Sequence, residues 1–235
     1  VRFIDDAAQR IREDYLRILR FFRFSAFYGQ PNHGWNADAL AAIAENLNGL
    51  KTLSAERVGS EMLRLLSASD PVGPVAVMER IGVLNSILPG ADAKLLGLLI
   101  HIEGQIAASR DPITRLAALG GTDVVQRLRL SRKDQKQLAL TLEHAGSLMG
   151  ARAIGHSAGL AAGTGAILLR AALTEQPLLA STAQDIAYGA AMKFPVSARD
   201  LPELIGPALG KRLAAIKKDW LISDLTKTKA DLLRA

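Results

Sequence analysis

Residues Arg10 to Phe27 read RIREDYLRILRFFRFSAF. On a helix each residue advances by about 100°, so Tyr15, Ile18, Leu19, Phe22 and Ala26 share one face, while Leu16, Phe24 and Phe27 lie among arginines on the other side. A segment apolar over so much of its circumference belongs in a helical interior. Asp14, Arg17, Arg20 and Arg23 recur every three residues. Each such step drifts by about −60°, so the four are expected to wind along one flank as a slanted polar stripe. The helix should run from about Asp6 to Tyr28 and end at Gly29, with Pro31 beyond. Asp5 and Asp6 read as acids at its positive end.

The same punctuation continues outward. Asn36 and Asp38 open a second helix through about Asn46, Ser54 a third to Leu66, and Asp70-Pro71 a fourth that stops before Gly82. Pro89-Gly90 is a hard stop. Further helices are expected over 91–107, 111–119, 121–128, 131–144, 157–174, 178–193, 206–221 and 226–233. Alternation of period two is sustained nowhere, so no sheet is predicted. Phe194 to Pro207, with three prolines, is a loop-rich connection. The expected fold is an all-α, elongated array in three parts, over 1–89, 90–193 and 194–235.

Composition narrows the class. The 235 residues include 29 Lys or Arg against 23 Asp or Glu, a net charge of +6 that favours an anionic partner. Cysteine is absent, which excludes disulfides and thiolate chemistry. No signal peptide opens the chain. The most apolar stretch, Ala158 to Leu169, is dotted with glycine and falls short of the ~18 uninterrupted apolar residues of a membrane span. A cytoplasmic protein with no membrane partner is expected. The chain begins with Val1 rather than Met, so a fragment or truncated form is considered.

Two readings of the arginine stripe stay open on pattern alone. In one it is a solvated face, with Glu13 paired to Arg17 and Arg20 left to water. In the other, arginines set among Phe21, Phe24 and Phe27 are satisfied by something anionic or planar, such as a nucleoside triphosphate.

EDYLRILRFFRF, preceded by VRFIDD and AAQRI, resembles the nucleotide-recognition motif of the bacterial tRNA nucleotidyltransferases: the CCA-adding enzymes and their poly(A) polymerase relatives, of the class with helical neck, body and tail. LSAERVGSEMLRLL resembles the next neck motif, and MERIGVLNSILP the segment after it. LRLSRKDQKQL and FPVSARDLPELIGPALGKRLAAIKKDW resemble body and tail segments. The resemblance implies that Asp14 and Arg17 read the Watson–Crick edge of the incoming base, with Arg20 and Arg23 behind them and Arg20 the better placed for direct contact. It implies ATP and CTP as substrates and tRNA as partner, held by body and tail. Arg129, Arg132, Lys133, Lys211, Arg212, Lys217 and Lys218 are candidate phosphate contacts.

The family's catalytic head, a β-sheet domain with paired aspartates for two metal ions (magnesium is expected), has no counterpart in these residues. The chain alone is expected to lack catalytic and metal-binding residues and to be inactive. His33, His101, His144 and His156 are isolated and read as surface or satisfied core histidines. GLAAGTGA, Gly159 to Ala166, lacks the Lys-Ser or Lys-Thr of a phosphate loop and reads as close helix packing. A poly(A) polymerase fragment and a stand-alone helical RNA-binding module remain the alternatives.

Overall fold

A computed structural model describes residues 1–29, 34–106 and 108–234. Among them the chain is helical throughout, and its only strand-like contact is an isolated antiparallel bridge between Ala91 and Gly120. The all-α expectation holds, and most helix starts fall where the caps placed them. Asn36 caps α3 (Ala37–Glu45) by accepting from the Ala39 N–H at 2.8 Å. Asp111 caps α8 (Pro112–Leu119), which has proline in its first turn. Ser131 caps α10 (Arg132–Ala145). Each supplies a side-chain acceptor to an otherwise orphaned N–H.

The first helix departs from expectation. It is two helices, α1 (Ala7–Glu13) and α2 (Leu16–Tyr28), separated at Asp14, whose backbone is extended at φ −158° and ψ 104°. Asp14 therefore does not sit on the helix that carries the arginines, and the four-residue stripe is broken at its first member. The side chain explains the break. Asp14 Oδ1 accepts from the Leu16 N–H at 3.1 Å while its carbonyl accepts from the Arg17 N–H at 3.0 Å, which is how a short carboxylate competes with helix continuation. Burial also differs: Leu16 and Phe21 join Ile18, Leu19 and Phe22 inside, and Phe27 is exposed.

A 3-10 turn (Leu47–Thr52) leads to α4 (Ala55–Leu66), capped by Ser54. After α5 (Val72–Arg80), Gly82 at φ +85° turns the chain into α6 (Val83–Ile87), a short helix the pattern did not predict. Then come α7 (Lys94–Gln105) and α8; α9 (Val124–Arg127) is shorter than the helix expected over 121–128. One apolar core runs without interruption from Ile11 to Ala172, through Leu88 and Ala93 on either side of Pro89-Gly90.

The long helix α11 (Ala151–Thr174) starts six residues earlier than expected and carries a break at Gly159, φ +77°. By length and composition alone it could cross a membrane, unlike the expectation from its sequence, but half of its most apolar window is buried within the protein. It packs between α10 and α12 (Thr182–Ala191). Within GLAAGTGA, Gly163 and Gly165 serve that packing as expected, whereas Gly159 has open space around it and marks the break instead. Gly163 faces Ile186, a methyl on Gly165 would overlap Thr114, and a methyl on Gly155 would overlap the Ile186 carbonyl. A separate small core around Trp220 joins α13 (Gly206–Ile222) and α14 (Lys229–Arg234) to Ala153 and Val196.

Candidate functional site

The break at Asp14 and the helix α4 together build the site. Arg57, in the first turn of α4, donates from Nη2 to both Asp14 oxygens at 3.0 and 2.9 Å. One turn on, Glu61 is buried, with 4% exposure. Its Oε2 accepts from Arg23 Nε at 2.6 Å and its Oε1 lies 3.5 Å from Arg20 Nε. Residues 57 and 61 lie one helical turn apart on one face, so a single edge of α4 grips the start and the middle of the motif.

Arg17 bonds differently. Its Nη1 donates to Glu13 Oε2 at 2.6 Å and to the Arg10 carbonyl at 2.8 Å. That hydrogen bond from Arg17 is the main reason the Glu13 carboxyl sits below its usual range. Asp14 and Arg17 share a backbone hydrogen bond but no side-chain one among the described residues. The Glu13–Arg17 pair expected of a solvated face is present, while Glu61 is an anion for the other two arginines that the helix pattern did not reveal. Glu13 serves Arg17, and Glu61 serves Arg23 closely and Arg20 loosely. Arg57 and Glu61 lay in a quoted motif, LSAERVGSEMLRLL, but a pairing across about forty residues has no local signal.

A cleft of about 260 Å³ opens along α2. Arg2, Arg10, Arg17 and Arg20 line it together with Phe3, Phe21 and Phe24, and no carboxylate does. Phe3 stacks on Phe21 with centroids 5.3 Å apart. Asp14 and Arg23 lie outside the lining.

The remaining hydrogen-bonding capacity defines what the pair can do. A carboxylate offers about four acceptor positions; Asp14 uses three, two on Oδ1 and one on Oδ2. Arg17 uses its Nη1 hydrogens, leaving Nε and both Nη2 hydrogens without a partner among the described residues. One acceptor and a fork of donors remain, tied to the same turn of backbone.

The basic candidates fall in two places. Arg129 is exposed, has φ +45°, and lies 3.5 Å from Glu56 at the start of α4. Arg132 and Lys133 are exposed in the first turn of α10. A methyl on Gly59 would overlap the Leu128 carbonyl, so the backbone just before Arg129 lies against that of α4. On α13, Lys211, Lys217 and Lys218 are exposed, Arg212 is half-buried, and none has an acidic partner among the described residues.

Of the histidines, His156 bonds the Met192 carbonyl and sets its ring edge to Trp220. His144 is buried with Nδ1 unpartnered, so it is not the satisfied core histidine expected. His33 lies outside the described residues. No three His, Asp or Glu side chains converge to hold a metal among the described residues, and no metal-dependent step is assigned to them.

A family model described as the probable RNA and SrmB-binding site of polymerase A matches residues 36–95. The mitochondrial CCA tRNA nucleotidyltransferase 1 of Mus musculus is 35% identical over 145 residues, covering 60% of this chain and 33% of that protein. The chain spans about a third of the length of the first such relatives. In fold it is similar to a solved CCA-adding enzyme in complex with CTP, at a TM-score of 0.64 and 13% identity over 97% of this chain and 60% of that one. The CCA-adding enzyme of Thermotoga maritima complexed with tRNA gives 0.60, at 14% identity, over 97% of this chain and 61% of that one.

Proposed function

We propose that this chain, which matches the polymerase A family model over 36–95 and resembles CCA tRNA nucleotidyltransferases, is a member of the CCA-adding enzyme and poly(A) polymerase family, and that it selects the nucleotide and holds the tRNA for an enzyme that adds C and A to tRNA 3′ ends from CTP and ATP. Asp14 and Arg17 read the base. A carboxylate only accepts hydrogen bonds and a guanidinium only donates. Cytosine and adenine both offer an exocyclic amino donor beside a ring-nitrogen acceptor; guanine and uracil place a carbonyl where the amino group would be. The pair accepts the first two and rejects the others, because a wrong base leaves desolvated polar groups unpaired.

The observation carrying this reading is the capacity left at the turn: one open acceptor on Asp14 Oδ2 and three open donors on Arg17. Arg20, which lines the cleft, makes the further contact to the nucleotide, and Arg23, held by Glu61, braces the helix. Arg129, Arg132, Lys133, Lys211, Arg212, Lys217 and Lys218 contact the tRNA backbone, so tRNA affinity falls steeply with salt.

The test uses the longest protein that the reading frame encodes. CMP and AMP incorporation is measured on a tRNA ending before its CCA, with all four nucleoside triphosphates in competition. Asp14→Ala and Arg17→Ala relax or abolish base choice; unchanged preference for C and A in both variants sinks the assignment. A second reading, a poly(A) polymerase, draws on the description of the family model. It predicts A alone added to many RNAs, and sequencing the products separates the two. A stand-alone RNA-binding module would bind tRNA in a salt-sensitive way with no selectivity among nucleotides.

A further inference from the structure

The last two turns of α2 carry three rings that the nucleotide reading does not use in full. Phe24 is 39% exposed, Phe27 46% and Tyr28 73%. They form a staircase, with the Tyr28 centroid 6.0 Å from Phe24 and 6.2 Å from Phe27. Phe24 also lines the arginine cleft, so the staircase starts where the nucleotide would sit and leads away from it.

The charge around the rings selects a partner. Between Leu16 and Tyr28 the helix has three arginines and no acid. The Arg23 guanidinium lies over the Phe24 ring at 4.3 Å, and Arg20 is half exposed beside it. The core of a protein interface is depleted in charge, whereas aromatic rings interleaved with arginines are the composition of surfaces that stack unpaired bases while following a phosphate backbone.

We propose that Phe24, Phe27 and Tyr28 are a stacking platform for the unpaired terminal bases of an RNA strand. The platform rests on the proposed function only for its direction, from the cleft outward. Stacking tolerates any base, since each has a π face. The rings therefore contribute affinity for the strand without choosing its sequence, and base choice stays with Asp14 and Arg17.

The test is anisotropy with two labelled, unstructured RNA strands of equal length, one base-bearing and one abasic at its last three positions. The platform predicts that the whole chain binds the base-bearing strand about tenfold more tightly. In a Phe27→Leu/Tyr28→Leu variant, which keeps apolar bulk and loses the π faces, that preference disappears while affinity for the abasic strand is unchanged. Circular dichroism confirms that the variant is folded. Equal binding of the two strands by the unmodified chain overturns the proposal. So does a preference that survives the leucine changes, which shows that these rings do not create it. Titrations with CTP and UTP run in parallel: equal affinities defeat base reading at Asp14 without touching the strand result.

Discussion

Arg57 Nη2 closes on both oxygens of Asp14, at 3.0 and 2.9 Å, across forty-three residues of sequence. The contact adds to the hydrogen bond from the Leu16 N–H in fixing the carboxylate at a break between two helices. It occupies two of the acceptor positions and leaves one on Oδ2 open. Orientation of a reading group before the ligand arrives reduces the ordering that binding must otherwise impose.

Arg57→Ala tests that role. The pair is partly exposed, 48% for Arg57 and 27% for Asp14, so its loss lowers stability by no more than about 1 kcal/mol. Discrimination of CTP over UTP should nevertheless fall several-fold, with Arg57→Lys restoring only part, since a lysine cannot reproduce the guanidinium geometry. Competitive incorporation reads the first effect and urea unfolding the second. A large stability loss with intact discrimination would make Arg57 a structural residue only.

This pairing marks the boundary of what the sequence disclosed. Caps such as Asn36, Ser54, Asp111 and Ser131 are local, each needing only its own N–H three residues on, and they placed their helices correctly. The motif also drew attention to the correct helix. Its arginines, however, were read without Glu61, because a partner some forty residues away leaves no periodicity. The break at Asp14 was missed for a related reason: its flanks, Glu13 and Leu16, are good helix formers, and the hydrogen bond from Leu16 that stops the helix competes within a single turn. Likewise Ser157, a residue type that favours helix starts, marks the expected beginning of α11, yet the helix begins at Ala151 and its break falls later, at Gly159.

Arg115 makes the largest stability prediction. It is 1% exposed and paired with Glu103, 5% exposed, at 2.6 Å. Its Nη1 also donates to the carbonyls of Leu66 and Ala68, both at 2.6 Å, at the end of α4. Arg115→Met leaves a buried carboxylate and two carbonyls without donors and should cost about 3–5 kcal/mol. Adding Glu103→Met should recover part of that loss, because the stranded charge is removed; the carbonyls remain unpaired. Chemical denaturation of the single and double variants measures both, and a double variant no more stable than Arg115→Met would contradict the account.

Gly189 sits where α12 meets α11. A methyl there would overlap the carbonyl oxygen of Arg152, which is backbone and cannot rotate away. Gly189→Ala should therefore force the helices apart and destabilise by about 1–3 kcal/mol, despite the better helix propensity of alanine. At Gly210 on α13 no atom lies within reach of an added methyl, so Gly210→Ala should be neutral or stabilising. Thermal unfolding of the two variants should move in opposite directions, or at least differ clearly.

Asp200 supplies a pH dependence. The Lys229 ammonium, 2.6 Å away, is the chief cause that holds its carboxyl down to about 2, with the Ser197 N–H adding to it. An unfolded aspartate titrates near 3.9. The folded pKa is depressed, so the stabilisation is complete above about pH 4 and is lost as pH falls through about 2. The difference in melting temperature between the unmodified chain and Asp200→Asn should be constant from pH 7 to about 5 and then shrink towards zero near pH 2. A difference that persists or grows on acidification would show that Asp200 acts otherwise.

Glu61 joins stability to the site. Its carboxylate is buried, Arg23 is mostly buried, and the two meet at 2.6 Å; the contact with Arg20 is longer and its arginine nearly half exposed. Glu61→Gln keeps the shape but removes the charge, leaving Arg23 desolvated without its anion, and should cost about 2 kcal/mol. Most of that cost should come through Arg23, since exposed pairs contribute little. In a double-mutant cycle, Arg23→Met should therefore couple strongly to Glu61→Gln, and Arg20→Met weakly. Because Arg20 faces the cleft while Arg23 does not, Arg20→Met should weaken nucleotide binding with little change in unfolding free energy. If Arg20 instead shows the stronger coupling to Glu61, the division between a bracing arginine and a ligand-facing one is reversed.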